Sequence, residues 1–400
     1  MKKLIKNAKI LNSNYDLINV NILINENVIE KIYENNEKIE KLSINSIIDA
    51  ENNLVLPGFI NSQSHLLRKF FHTFSNFNNI EDFNEEFYKF KNNLTDNEKY
   101  LIYKYEIQNA ISNGITTICD EDLYNLPLKK AVLETNINCV YKVGIQNCLD
   151  DLDEKLIENL TRTNQHFILS LNNVFFNNED NFATLIKLSK KLNKPIFCNS
   201  SFSMLEEGNV DLDFKTTTIK LLDSFGFLDY SNILYSQNII EKDDLKILQN
   251  NNTRFVFSPS FNLNFAYPNA NIYALNKQNK IGLSSFDNDF FLEMYLAKNL
   301  ENNSYDNINL FNNIDVYNLT KNNAEILSLK NVGEIKEGNK ADFVIVKTND
   351  LTNNINQILS TLTSKDIIHT IINGEILYNK FYNETKIEEE LQKIINKINY

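Results

Sequence analysis

The chain has 400 residues, of which 42% are hydrophobic and 11% aromatic, and a formal net charge of −12. That apolar content excludes a disordered chain and supplies a large core, while the acidic balance leaves no basic surface for nucleic acid or an anionic membrane. No run of about 18 apolar residues predicts a membrane helix, and Met1-Lys2-Lys3-Leu4-Ile5-Lys6-Asn7 lacks the apolar stretch of a signal peptide, so a cytoplasmic location is expected.

Residues 1–57 read as short strands at 8–12, 19–25, 28–33 and 44–49, separated by Asn-rich turns and alternating apolar with polar. An apolar run then ends at Pro57-Gly58, resumes as a strand, and finishes in Gln63-Ser64-His65. Side chains two apart on a strand share a face, so Gln63 and His65 are placed as two ligands of one cation would be. From 58 to 325, helical patterns alternate with short apolar runs, the signature of βα units around a parallel sheet. Thr95-Asp96-Asn97-Glu98 is a capping box that predicts a helix to about residue 112, and Gly114 stands where a left-handed cap belongs. The run 115–120 is then a buried strand ending in a carboxylate. Further strands are expected at 139–143, 167–171, 195–199, 233–236, 254–258 and 280–285, which with the opening strand make eight. Strands return at 341–346 and 367–378 around an Asn373-Gly374 turn, and 384–398 is an amphipathic helix expected to pack on the small domain.

The fold class is therefore α/β: a (β/α)8 TIM-type barrel over 58–325, with a small β-sandwich built from 1–57 and from 326–400, the latter including the terminal helix. The cysteines Cys119, Cys139, Cys148 and Cys198 form no C-x-x-C pair and read as buried thiols.

Several segments resemble one family. They are Pro57-Gly58 leading to His65, the passage from Gly114 to Asp120, the return from Gly333 to Val344 with Gly338, Ala341 and Asp342, and the Ile371-Ile372-Asn373-Gly374 hairpin. Together they resemble the amidohydrolase superfamily. Pro259-Ser260-Phe261-Asn262 and the run from Asp287 to Met294 resemble its chlorohydrolase and cyclic-amidine deaminase branch, nearest the SsnA-like aminohydrolases. The resemblance implies a distorted barrel with a β-sandwich and zinc- or iron-assisted hydrolysis of a ring C–N or C–Cl bond. It implies as ligands two histidines on the first strand, one on the fifth, one on the sixth and an aspartate on the eighth, with a glutamate of an H-x-x-E run as acid/base.

Against that pattern, only His65 of the four histidines (His65, His72, His166, His369) falls on a ligand position. Gln63 takes the first-strand partner's place, Asn199 and Phe202 take those of the fifth-strand histidine and glutamate, and Ser236 that of the sixth-strand histidine. Asn172 and Phe257 stand where relatives place substrate-contacting histidines, and the eighth-strand position falls on Ser284 or, with a gap, on Asp287. The other three histidines read as structural.

The expectation is a barrel-mouth pocket lined by Gln63, His65, Asn172, Asn199, Phe202, Ser236, Phe257 and Asp287, with no catalytic residue and no cofactor. The weaker reading places a single zinc or iron on His65 and Asp287. Loss of an acid/base group alone costs roughly 10²–10⁴ in rate. The chain is accordingly expected to be a catalytically impaired relative that binds a small molecule or serves as a homo- or hetero-oligomeric partner subunit. The alternative is an active metal-dependent hydrolase or deaminase of ring C–N bonds, rebuilt around His65 and Asp287.

Overall fold

A computed structural model describes residues 1–34, 37, 44–145, 152–171, 174, 179–228, 232–348, 354–381 and 389–398. Strands β1 (Lys2–Leu11), β2 (Leu17–Asn25), β3 (Val28–Glu34), β4 (Ser46–Asp49) and β5 (Leu54–Pro57) open the chain. The central strands are β6 (Phe59–Ser64), β7 (Ile115–Asp120), β8 (Asn138–Cys139), β9 (Tyr141–Ile145), β10 (Phe167–Leu171), β11 (Ile196–Ser200), β12 (Ile233–Ser236), β13 (Arg254–Phe257) and β14 (Lys280–Leu283). Strands β15 (Phe343–Val346), β16 (Ile367–Ile372) and β17 (Glu375–Asn379) close it.

The central strands are parallel, in two ladders ordered β6-β7-β8 and β9 through β14. The ladders are continuous at Val140. Its N–H donates to Ile118 O at 2.8 Å, and the next N–H, of Tyr141, donates to His166 O at 2.9 Å, so β8 and β9 are two pieces of one strand. Between β6 and β14 the closure is made by side chains. Asn323 donates to Ile60 O (2.7 Å) and Leu283 O (2.6 Å), and Asn61 exchanges two hydrogen bonds with the Ser285 backbone. Gly282 is required there, since a Cβ on it would stand 2.1 Å from Asn323 Oδ1.

Alternation sorts the barrel strands into two layers. Ile60, Cys119, Val140, Ile168, Phe197, Ile233, Tyr235 and Val256 form one cluster inside the ring. Their neighbours Phe59, Ile118, Leu169, Cys198, Leu234 and Phe255 pack outward on the helices. Three of these helices matter below: α1 (Leu66–Phe74), α2 (Ile80–Asn93) and α3 (Asp96–Ser112). The expected capping box begins α3, with Thr95 Oγ1 accepting from the Glu98 N–H and Glu98 Oε2 from the Thr95 N–H. Gly114 follows it at φ +83°.

The remaining strands form one sheet, β17-β16-β15-β5-β1-β2-β3, with β4 beside β1. Its two chain ends share a core that includes Ile5, Ile22, Ile29, Phe343 and Ile371. The Asn373-Gly374 turn has φ of +51° and +78°, as a tight hairpin requires. The terminal helix, Glu389–Ile398, differs from expectation. Leu391, Ile394 and Ile395 join the barrel's outer core against α1 and α3, so it packs on barrel helices. No described helix is long and apolar enough to cross a membrane.

Candidate functional site

The C-terminal ends of the strands in a βα barrel carry its function, because the loops that follow them converge at one mouth. Here that end holds a cavity of about 360 Å³. His65 enters it from the end of β6, Glu121 and Asp122 from the end of β7, Asn199 from β11, Ser236 from β12, and Phe261 and Tyr267 from the segment after β13. Tyr88 on α2 and Phe202 complete an aromatic lining in which Phe202 meets Tyr267 edge-on at 5.4 Å and Phe261 stacks near Tyr267 at 5.9 Å.

His65 is held on three sides. Its Nδ1 lies 3.0 Å from Glu121 Oε2, its Nε2 lies 3.1 Å from the Tyr235 hydroxyl, and its ring stacks on Phe261 at 4.6 Å. Burial lowers its pKa and outweighs the opposing pull of Glu121, so the imidazole is neutral. Glu121 also accepts from Arg68 Nε at 3.1 and 3.3 Å. Burial works to raise the Glu121 carboxyl, but Arg68 and then His65 outweigh it and hold the group far below the usual carboxylate range. Arg68 itself donates to Asn84 Oδ1 at 2.9 Å and lies over the Phe87 ring at 4.3 Å. Beside this group, Lys91 pairs with Asp122, which also accepts from the Tyr103 hydroxyl at 2.6 Å.

Of the eight expected pocket residues, His65, Asn199, Phe202 and Ser236 line the cavity. Gln63 is fully buried, its Oε1 accepting from Lys142 Nζ, which lies over the Phe197 ring at 3.7 Å. Phe257 packs with Phe255 in the outer layer, so strand parity turns it away from the mouth. Asp287 is taken by Lys69 (2.9 Å) and Asn264 (3.2 Å) and is not part of the cavity wall, so it does not join His65 as a ligand pair. Ser284 lies just past β14 and donates its N–H to Phe257 O at 2.7 Å, and Asp289 caps the helix Phe290–Ser304. Asn172 lies outside the described residues. His72 is packed edge-on against Phe265 and Phe286.

The sequence reading passed over Arg68, Glu121, Tyr235 and Glu206. One signal was available for Glu121: an Asp120-Glu121-Asp122 run at the end of a barrel strand is at the functional face by topology alone. Ser236 carries a second signal, visible only in the structure, for it and Gln237 adopt φ of +85° and +55° at the end of β12.

Residues 284–377 match the amidohydrolase family. Over 100% of this chain and 98% of its own length, a 5-methylthioadenosine/S-adenosylhomocysteine deaminase of Caldicellulosiruptor saccharolyticus is 27% identical. A 5′-deoxyadenosine deaminase of Methanococcus aeolicus is 27% identical over 99% of this chain and 98% of its own. Over residues 284–377 the chain is similar to the amidohydrolase family. Among solved structures, an adenosine deaminase from Xanthomonas campestris with bound zinc superposes on this chain with a TM-score of 0.86, at 13% identity, covering 99% of this chain and 97% of that one. The named relatives are adenosine-type deaminases, and SsnA-like proteins are not among these three.

Zinc bound in that neighbouring structure of the same fold runs against the expectation of no cofactor. The fit to this chain's own side chains is a separate question. A catalytic zinc takes about three protein ligands of the His, Cys or carboxylate type and leaves one position open. Here His65 is the one histidine on the cavity wall, Gln63 accepts from Lys142, and Asp287 is salt-bridged. Among the described residues no three His, Cys, Asp or Glu side chains converge as a metal site. This donor set does not fit zinc.

Proposed function

We propose that the cavity takes a flat, nitrogen-rich ring of the purine-nucleoside kind and that the protein hydrolyses an exocyclic C–N bond of that ring. The observation that carries the reading is the Glu121–His65 pair at the wall of an aromatic-lined cavity. The whole-length match to relatives named as deaminases supports it.

The aromatic faces would hold the ring by stacking. Glu121 beside Nδ1 favours the tautomer with its proton there, leaving the Nε2 lone pair, to which Tyr235 now donates, free to take a proton from water. The imidazolium so formed would be stabilised by the ionised Glu121. Water oxygen adds to the ring carbon that bears the amino group. One water proton ends on the ring nitrogen and the other on the departing ammonia, leaving a carbonyl.

The test is ammonia release from a panel of purine nucleosides and cyclic amidines, with and without added zinc, by the full chain and by His65→Ala. Turnover of at least one substrate is expected, falling by roughly 10² or more in the variant. Absence of ammonia from every substrate in both conditions would sink the hydrolytic reading. A second reading, ring binding without turnover, is favoured by Gln63, Asn199, Phe202 and Ser236 standing where the resemblance implies ligands and an acid/base glutamate. It predicts saturable calorimetric binding of the same panel and no ammonia.

A further inference from the structure

Four carboxyl groups stand on the cavity wall, Glu81, Glu121, Asp122 and Glu206, against two cations, Arg68 and Lys91. Both cations are already engaged. Arg68 Nε lies 3.1 Å from Glu121 Oε1, and Lys91 is paired with Asp122. His65 is neutral, and burial pushes Glu206 up to about 8, so neither changes the sign of the balance near neutral pH. Glu81 is left over. It stands exposed in the first turn of α2, and among the described residues no cation pairs with it. Its charge reaches the rings of the cavity. Burial raises the pKa of the Tyr267 hydroxyl, Arg68 opposes that rise, and Glu81 adds to it.

The rings of Tyr88, Phe202, Phe261 and Tyr267 line the same cavity. An aromatic face is negative and attracts a cation. One ring of this wall already does so, with the Arg68 guanidinium 5.9 Å from the centre of Tyr88. An anionic ligand would meet an unbalanced carboxylate and ring faces of its own sign. A neutral ligand stacks on the rings but gains nothing from Glu81. A cation gains from both, and the net charge of −12 draws it toward the mouth.

Resting on the reading that the cavity takes a flat, nitrogen-rich ring, we infer that the ring it selects is positively charged, an amidinium or an N-alkylated heterocycle, with Glu81 as the specificity-determining counter-charge. Such a ring suits the proposed hydrolysis. When water oxygen bonds to the carbon bearing the amino group, the C=N electron pair moves onto the charged ring nitrogen, and His65 takes the water proton. The ring then passes from positive to neutral, and not from neutral to negative.

Two pairs of isomers separate charge from size and composition. Cationic 1-methyladenosine is matched by neutral N6-methyladenosine, and cationic 7-methylguanosine by neutral N2-methylguanosine. All four, with adenosine and guanosine, are titrated calorimetrically into the full chain at about pH 6, where Glu81 is ionised. In at least one pair the cation is expected to bind about tenfold or more tightly than its isomer in dilute buffer, with the margin narrowing as salt is raised to about 0.5 M. Glu81→Gln should cut that margin several-fold, and Glu81→Lys should abolish it. If any of the six nucleosides binds but neither pair favours the cation, or if the preference survives Glu81→Lys, the inference alone is overturned. If none of the six binds, the ring-binding reading is overturned and the inference falls with it.

Discussion

Glu121 is shared between two side chains that need it for different reasons. Arg68 is buried and always charged, so its guanidinium needs an anion, while His65 needs an acceptor beside Nδ1 to fix its tautomer. Breaking a buried ion pair from one side leaves an uncompensated charge, which typically costs about 3–5 kcal/mol. Glu121→Ala is therefore expected to lower stability by about that amount in urea denaturation, beyond any effect on turnover. The pH dependence has a definite sign. The carboxyl is held below its unfolded value of about 4.5, so its contribution is complete above that pH and is lost as pH falls toward the folded value. Urea midpoints of the wild type should thus drop more steeply below about pH 4.5 than those of Glu121→Gln, and parallel acid profiles would refute the pairing. None of this was legible from one sequence. Arg68 meets Glu121 across 53 positions and Lys142 meets Gln63 across 79, and such pairings leave no local pattern to read. What was legible was the address: His65, Asn199, Phe202 and Ser236 reach the mouth because strand ends place them there whatever their chemistry.

At the level of elements, the eight barrel strands were readable because buried parallel strands are near-continuous apolar runs bounded by helix signals. Their closure was not, since it depends on single amides. Asn323 spans β6 and β14 by satisfying Ile60 O and Leu283 O, and both carbonyls are walled in by the core. Removing their common donor strands two buried acceptors at about 1–3 kcal/mol each. Asn323→Leu, close in size but unable to donate, should lower stability by about 2–4 kcal/mol in chemical denaturation. A loss below about 0.5 kcal/mol would mean that the two strands hold together without the amide. Phe257 shows the complementary limit of sequence reading. An error of one residue in the register of a strand reverses the face, and here the true parity puts it among the helices. The terminal helix was misplaced for a similar reason: amphipathicity says that one face is covered but not by what.

At the scale of the whole molecule, the small sheet and the barrel are joined at one buried carboxylate. Asp342 Oδ1 accepts the Asn373 N–H of the hairpin at 2.6 Å, its Oδ2 accepts from Asn138 of β8 at 3.0 Å, and its backbone oxygen accepts the Gly58 N–H at 3.0 Å. Gly58 is the residue on which β5 of the sheet becomes β6 of the barrel, and a Cβ on it would lie 2.1 Å from Thr116 Cγ2. Asp342 thus ties together the sheet, the third barrel strand and the crossover that leads to His65. This gives a physical reason for an aspartate in the Ala341-Asp342 return, which the sequence showed only as a resemblance. Asp342→Ala removes the side-chain acceptor of two polar groups and leaves the backbone contact in place. The expected cost is about 2–4 kcal/mol, and because the bond to Asn138 lies between the sheet and the barrel, calorimetry should show the melt broadening or splitting into two transitions. A single sharp transition at the wild-type midpoint would show that the apolar packing of Leu54, Leu56, Val344 and Val346 on the barrel's outer core is enough to keep the sheet and the barrel folding as one unit.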